Sequence, residues 1–194
     1  MRLALCLLLL GASAAAQTPP TDAASRPVTL ATEPPVTEPL AEPAGEATAT
    51  EAAVQAAVAE AGVHVVHLWA PWCGNSRAEL SAGLYEVVEG HPDVTFSFVA
   101  IWNDGRDGAA MLARYGIAPS GDGRVTVAAQ PDRGSSADRD ARRRTFLGLP
   151  LSWTPTTWVF NRGGQLAYAF NYGEVSPEML ALAIDHASRS WDHD

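Results

Sequence analysis

Apolar positions fall into blocks whose spacing switches between a strand repeat and a helix repeat along most of this chain. Val63 to Trp69 is apolar at nearly every position, broken only by His64 and His67, the pattern of a central parallel strand covered on both faces. Leu80, Leu84, Val87 and Val88 then recur at helical spacing and predict a helix over 76–89, ended by Gly90. The run 94–102 predicts the next strand, 109–115 a short helix ended by Gly116, and 124–129 a strand inside Gly-, Pro- and Asp-rich surroundings. Residues 136–147 read as a polar helix. Segments 156–160 and 165–171 predict a hairpin about Arg162-Gly163-Gly164. Ser176-Pro177-Glu178 caps a last helix that runs to about Arg189. Ahead of the first strand, the alanine-rich stretch 50–61 is a good helix former closed by Gly62. Strands alternating with helices, then a terminal hairpin and helix, predict an α/β domain over 50–191 with three α/β/α layers and a central mixed sheet.

The first fifty residues follow neither repeat. Met1-Arg2, the apolar core 3–10 and the small residues 11–16 read as a secretory signal with an Ala-x-Ala site, too short to span a bilayer. Cys6 lies inside that core behind Leu5, without the small residue that usually precedes a lipidated cysteine. Residues 17–49 are rich in Pro, Thr, Ala and Glu and nearly lack large side chains. Such a segment cannot bury enough surface to offset its ordering entropy, and it is expected to be a disordered linker.

Charge narrows the partners. The formal net charge is −9, and the 13 basic residues are all arginine. Nucleic acids and anionic membranes are bound through basic surfaces that release counterions, so neither is an expected partner, and no stable membrane insertion is expected. The one basic cluster, Asp138-Arg139-Asp140-Ala141-Arg142-Arg143-Arg144, is interleaved with aspartate and reads as a solvated helix face. No cofactor motif is visible, and no Cys/His spacing of a closed zinc site is present, so no metal is expected.

The candidate chemistry lies where the first strand meets its helix, in Trp69-Ala70-Pro71-Trp72-Cys73-Gly74-Asn75-Ser76. Cys73 falls at the start of a helix, where unpaired N–H groups and the macrodipole favour an anion. A Cys-x-x-Cys pair there makes and breaks its own disulfide, because the first thiolate attacks and the second releases. Ser76 stands where the second thiol would be. Its hydroxyl, one turn on, is in range to donate a hydrogen bond to the thiolate. With the signal removed, Cys73 is the only cysteine, so an internal disulfide is excluded and an intermolecular one through Cys73 stays open.

This segment, together with Trp153-Thr154-Pro155-Thr156-Thr157-Trp158-Val159-Phe160 about eighty residues on, resembles the thioredoxin-like superfamily, and most closely secreted TlpA-like proteins. The resemblance covers roughly 50–189 and implies the thioredoxin fold. It further implies that the Thr154-Pro155 bond is cis and packs beside Cys73, and that the backbone of Thr154 pairs with an extended substrate segment. Trp72, Trp153 and Trp69 are candidates to flank the thiol, with Gly74 and Asn75 completing the binding side. His67 occupies the position where thioredoxins carry a buried carboxylate serving the resolving cysteine. Two roles stay open for it: a base acting on Cys73, or a neutral, hydrogen-bonded core residue.

Two functions follow. In the first, a secreted, periplasmic single-thiol protein uses Cys73, Ser76 and His67 to form mixed disulfides with protein thiols or disulfides. In the second, the thioredoxin groove is a non-catalytic binding module and Cys73 is incidental. Rapid alkylation of Cys73 favours the first reading, and resistance favours the second.

Overall fold

The apolar run 63–69 becomes the middle of the sheet. The computed structural model describes residues 47–132, 137–173 and 175–189; the expected signal segment and most of the expected linker lie outside them. Within that range the order is α1 (Ala49–Val58), β1 (Val63–Trp69), α2 (Gly74–Ser81), α3 (Leu84–Gly90), β2 (Val94–Ala100), α4 (Ala109–Arg114), β3 (Val125–Ala129), β4 (Thr145–Phe146), β5 (Leu149–Pro150), β6 (Thr156–Phe160), β7 (Leu166–Asn171) and α5 (Pro177–Arg189). The main sheet runs β3-β2-β1-β6-β7. β1 pairs parallel with β2 and antiparallel with β6, so the sheet is mixed.

Alternation along the strands sorts the core into two layers. Val63, Val65 and Trp69 of β1 join Phe96 and Phe98 of β2 under α2, α3 and α5, through Leu80, Leu84, Val87, Leu180 and Ile184. Val66 and Leu68 face the other way, onto Val54 and Val58 of α1 and onto Phe146, Leu151 and Trp158. The three-layer α/β/α arrangement with a closing hairpin and helix is therefore present, and it leaves the carboxyl end of β1 free to carry a site.

Two expectations from the sequence are corrected. The helix expected over 76–89 is interrupted: α2 ends at Ser81, and α3 begins after Gly83, which has φ 115°. Only glycine takes that left-handed backbone without strain. The apolar spacing survives the break because Leu80, Leu84, Val87 and Val88 still enter one core.

The polar helix expected over 136–147 does not form in the described residues 137–147, and its basic cluster is not a solvated helix face. Asp138 instead closes a local turn by accepting from the Asp140 N–H at 2.9 Å. Arg143 reaches into the fold to pair with Glu51 of α1 at 2.8 Å, and the other oxygen of Glu51 accepts the Leu147 N–H at 2.6 Å. Phe146, fully buried, anchors the short β4–β5 hairpin across Leu147 and Gly148, whose φ values are 52° and 70°. Tertiary contacts to one buried carboxylate thus override the local helix pattern.

Candidate functional site

Cys73 ends the turn that leaves β1. Its N–H donates to Ala70 O at 3.0 Å, and its carbonyl accepts the Arg77 N–H at 3.2 Å, the first bond of α2. As N-cap it has extended φ −77° and ψ 126°, and its side chain makes no capping hydrogen bond. The first turn of α2 therefore has no side-chain acceptor from its N-cap, at the helix end that favours negative charge. The thiol donates instead to Thr154 O at 3.4 Å. Cys73 is 9% exposed, and among the described residues it is the free cysteine.

The second segment comes from the start of β6. The Thr154-Pro155 peptide is cis, and Pro155 O accepts the Tyr172 N–H at 2.7 Å, tying this turn to the end of β7. Thr154 and Pro155 are buried, whereas Trp153 is 53% exposed. Ser76 is fully buried; its oxygen accepts the Ala70 N–H at 3.2 Å and lies 3.4 Å from Thr154 Oγ1. Among the described contacts the Ser76 hydroxyl thus holds the turn and Thr154, and none joins it to Cys73 Sγ.

His67 sits deeper, on the α2 side of the sheet. Nδ1 is 2.9 Å from Thr157 Oγ1 on β6, and the ring lies tilted on Phe98 with centroids 5.6 Å apart. Nε2 is buried with no hydrogen-bond partner. Burial lowers its pKa to about 4, so the imidazole is neutral at physiological pH. Glu79 Oε2 approaches Nδ1 at 3.8 Å, yet the two do not form an ion pair at neutral pH because the imidazole is uncharged; burial also pushes the Glu79 carboxyl up to about 7. None of these contacts reaches the Cys73 sulfur. Glu79 escaped the sequence reading, since one acidic residue on a helix carries no signal of burial.

Above the sulfur lies a cleft of ≈ 500 Å³ lined by Cys73, Asn75 and Thr154. Its arginine wall is tied to two tryptophans. Trp72 Nε1 donates to Trp102 O at 2.6 Å, and Trp102 Nε1 donates to Arg143 O at 3.1 Å. The Arg142 guanidinium stands 5.1 Å from the Trp72 ring and 5.0 Å from the Trp102 ring, within cation–π range of both. Trp102 has φ 48°, and its N–H is held by Asp132 Oδ2 at 3.0 Å. Trp153 and Tyr172 also line the cleft, meeting edge to face at 5.1 Å and both more than half exposed.

The structure therefore gathers Trp72, Cys73, Gly74, Asn75, Trp153 and Thr154 around one cleft and keeps Ser76 and His67 in the interior. Trp69 is fully buried, its ring filling the space beside Gly108. Gly74 has open space where a Cβ would stand, so its small size is not demanded by a neighbour. Trp102, Tyr172, Arg139, Arg142 and Arg144 also line the cleft and were missed as site residues. Among the described residues no group of three or more His, Cys, Asp or Glu is placed to hold a metal ion. No helix among them is long and apolar enough to cross a membrane.

No protein-family model matches the chain, and no curated protein does. Solved structures do. A candidate thioredoxin from Neisseria meningitidis aligns with TM-score 0.50 at 18% identity, covering 71% of this chain and 82% of its own. A thioredoxin-family thiol:disulfide interchange protein from Chlorobium tepidum aligns with TM-score 0.48 at 17% identity, covering 69% and 83%. A secreted thiol-disulfide isomerase from Corynebacterium glutamicum aligns with TM-score 0.48 at 22% identity, covering 66% and 72%. The likeness at these identities concerns architecture, and with the sheet order β3-β2-β1-β6-β7 it makes this the thioredoxin fold.

Proposed function

We propose that the protein carries out thiol–disulfide exchange with a single thiol, outside the cytoplasm, on protein clients. The observation that carries this reading is Cys73 at the uncapped start of α2, at the edge of an open cleft, with a hydroxyl where a resolving thiol would stand. The Cys73 thiolate attacks one sulfur of a client disulfide, forming a Cys73–client bond while the other client sulfur leaves as a thiolate and takes a proton. Ser76 cannot attack that mixed disulfide. An external thiolate does so, regenerating Cys73 and carrying the client sulfur away in a new disulfide. His67, neutral and turned to Thr157, holds the floor of the site rather than moving the proton. The secretory reading of residues 1–16 supports an oxidising compartment in which client disulfides persist.

The test is a gain of function. With prereduced protein and no added thiol, wild type is expected to stop at a mixed disulfide with insulin, and Ser76→Cys to resolve that adduct and release a reduced chain. Position 76 lies one helical turn from Cys73, and a disulfide closes when the Cα atoms are roughly 4.4–6.8 Å apart. Resolution of the mixed disulfide by wild type with no added thiol, or an inert Ser76→Cys protein that folds normally, contradicts the proposal. A second reading, a binding module in which Cys73 takes no part, draws on the half-exposed aromatic lip of Trp153 and Tyr172. Under it, Cys73→Ala captures the same clients as wild type.

A further inference from the structure

The cleft that holds the Trp153–Tyr172 lip is also lined by three arginines, Arg139, Arg142 and Arg144, and its described lining contains no carboxylate. That is unusual for a chain of net charge −9. The wall is also built rather than accidental. Arg142 is fixed over two tryptophan rings, and the loop carrying all three is pinned at Arg143 by the Glu51 carboxylate and by the Trp102 indole N–H. Asp140, itself 96% exposed, meets Arg144 at 3.6 Å. An exposed pair of that kind contributes little and yields readily to a better acceptor.

The geometry points to a cleft that selects clients whose reactive cysteine is flanked by Asp or Glu in an extended peptide segment. This rests on the exchange reading for its covalent step, though not for binding. Arginine offers a planar fork to each carboxylate. The aromatic lip takes apolar side chains on the other flank, and the client sulfur is delivered to Cys73 between the two. An extended chain is favoured over a free small anion because one open cleft is lined by both the arginines and the Trp153–Tyr172 pair, and a lone carboxylate offers nothing to the aromatic rings. Beyond a Debye length of about 10 Å at 0.1 M salt the net negative charge of the protein is screened, so the local cations govern the encounter. A lysine-flanked cysteine meets repulsion at the same wall.

The test uses hexapeptides with a central cysteine activated as the 2-pyridyl disulfide, flanked by Asp/Glu, by Gly/Ser or by Lys. Cys73 attacks the peptide sulfur, a Cys73–peptide disulfide forms, and pyridine-2-thione leaves with the electron pair and is followed by absorbance. The acidic peptide is expected to react about tenfold faster than the neutral one at about 0.1 M salt and the lysine peptide slowest, with the spread shrinking toward about 0.5 M salt. In Arg139→Gln/Arg144→Gln, both positions exposed, the acidic-to-neutral ratio should fall to within about twofold. Arg114→Gln on α4, which removes a single distant charge, should keep the ratio.

A parallel anisotropy measurement uses the labelled acidic peptide with Ser in place of Cys, and its Kd should rise about tenfold in the double variant. Selective binding without any thione release supports the acidic-segment inference while removing the exchange reading. Equal rates and equal binding for acidic and lysine peptides in wild type overturn the inference. So does a ratio that persists in the double variant, or an equal preference for a non-peptide carboxylate disulfide such as dithiodiglycolate.

Discussion

The buried cluster of His67, Thr157 and Glu79 and the open cleft above Cys73 are both rich in polar side chains, yet they are organised in opposite ways. In the cluster burial disfavours charge, with the imidazole pKa lowered to about 4 and the carboxyl raised to about 7. In the cleft the charge is kept, because Arg142 is held by aromatic faces and Arg139 and Arg144 stand in solvent. Neutral groups in a closed interior order the strands they join, whereas retained charge at an open surface chooses what approaches. Under the proposed function the cluster belongs to the architecture and the cleft to recognition, with Cys73 between them.

The largest expected effect comes from unpinning the cleft. Glu51→Ala removes the acceptor of both the Arg143 guanidinium and the Leu147 N–H. Breaking one side of such a buried pair costs about 3–5 kcal/mol, and the low end applies because Arg143 keeps some contact with water. Urea denaturation measures it. A loss below about 1 kcal/mol would mean that the loop is held in some other way.

Removing the ring from the cluster is expected to matter less. His67→Ala should lower stability by about 1–3 kcal/mol through a void and a stranded Thr157 hydroxyl. The rate of Cys73 alkylation should stay within about twofold, since changes of less than 0.4 kcal/mol separate rates that close. Slower alkylation with an unchanged melting temperature would move His67 out of the structural cluster and into the chemistry.

The smallest effect is a slope in pH. Glu79 has a folded pKa near 7, above its ordinary 4.5, so its contribution to stability is full below pH 4.5 and is lost as pH rises through 7. His67 has a folded pKa near 4, below its ordinary 6.5, so its contribution is full above pH 6.5 and is lost as pH falls through 4. Between pH 4.5 and 6.5 the two slopes oppose each other and wild type changes little on their account. Glu79→Gln leaves the histidine slope alone. Its stability relative to wild type should therefore rise from pH 4.5 to above 7, on the order of 1–2 kcal/mol, in denaturation midpoints taken across that range. A difference that does not vary with pH would show Glu79 to be solvated and ionised throughout.

The parts of this site that could be read from sequence are those fixed by neighbouring residues. Cys73 follows a buried strand and opens a helix, and Thr154-Pro155 opens another strand; each was legible locally, and the resemblance to thioredoxin-like proteins is what brought the two together. The break at Gly83 was hidden because apolar spacing continues across it and only the backbone reverses. The arginine wall was hidden more deeply. Its position depends on Glu51, Trp72 and Trp102, from three distant segments, and a run of alternating Arg and Asp looks the same whether its anchor is water or a buried carboxylate. Tyr172 joins the cleft only because β7 returns beside β6.

The central claim is that Cys73 is a working single thiol, and it is tested most directly by mixing the reduced protein with neutral dipyridyl disulfide while following thione release and intact mass. With residues 1–16, and so Cys6, removed, the account predicts one thione per protein, an adduct mapped to Cys73 that persists on standing, and its loss when an external thiol is added. No release from the folded protein, with prompt release once urea exposes the same thiol, would show Cys73 to be an inert core residue and would contradict the account.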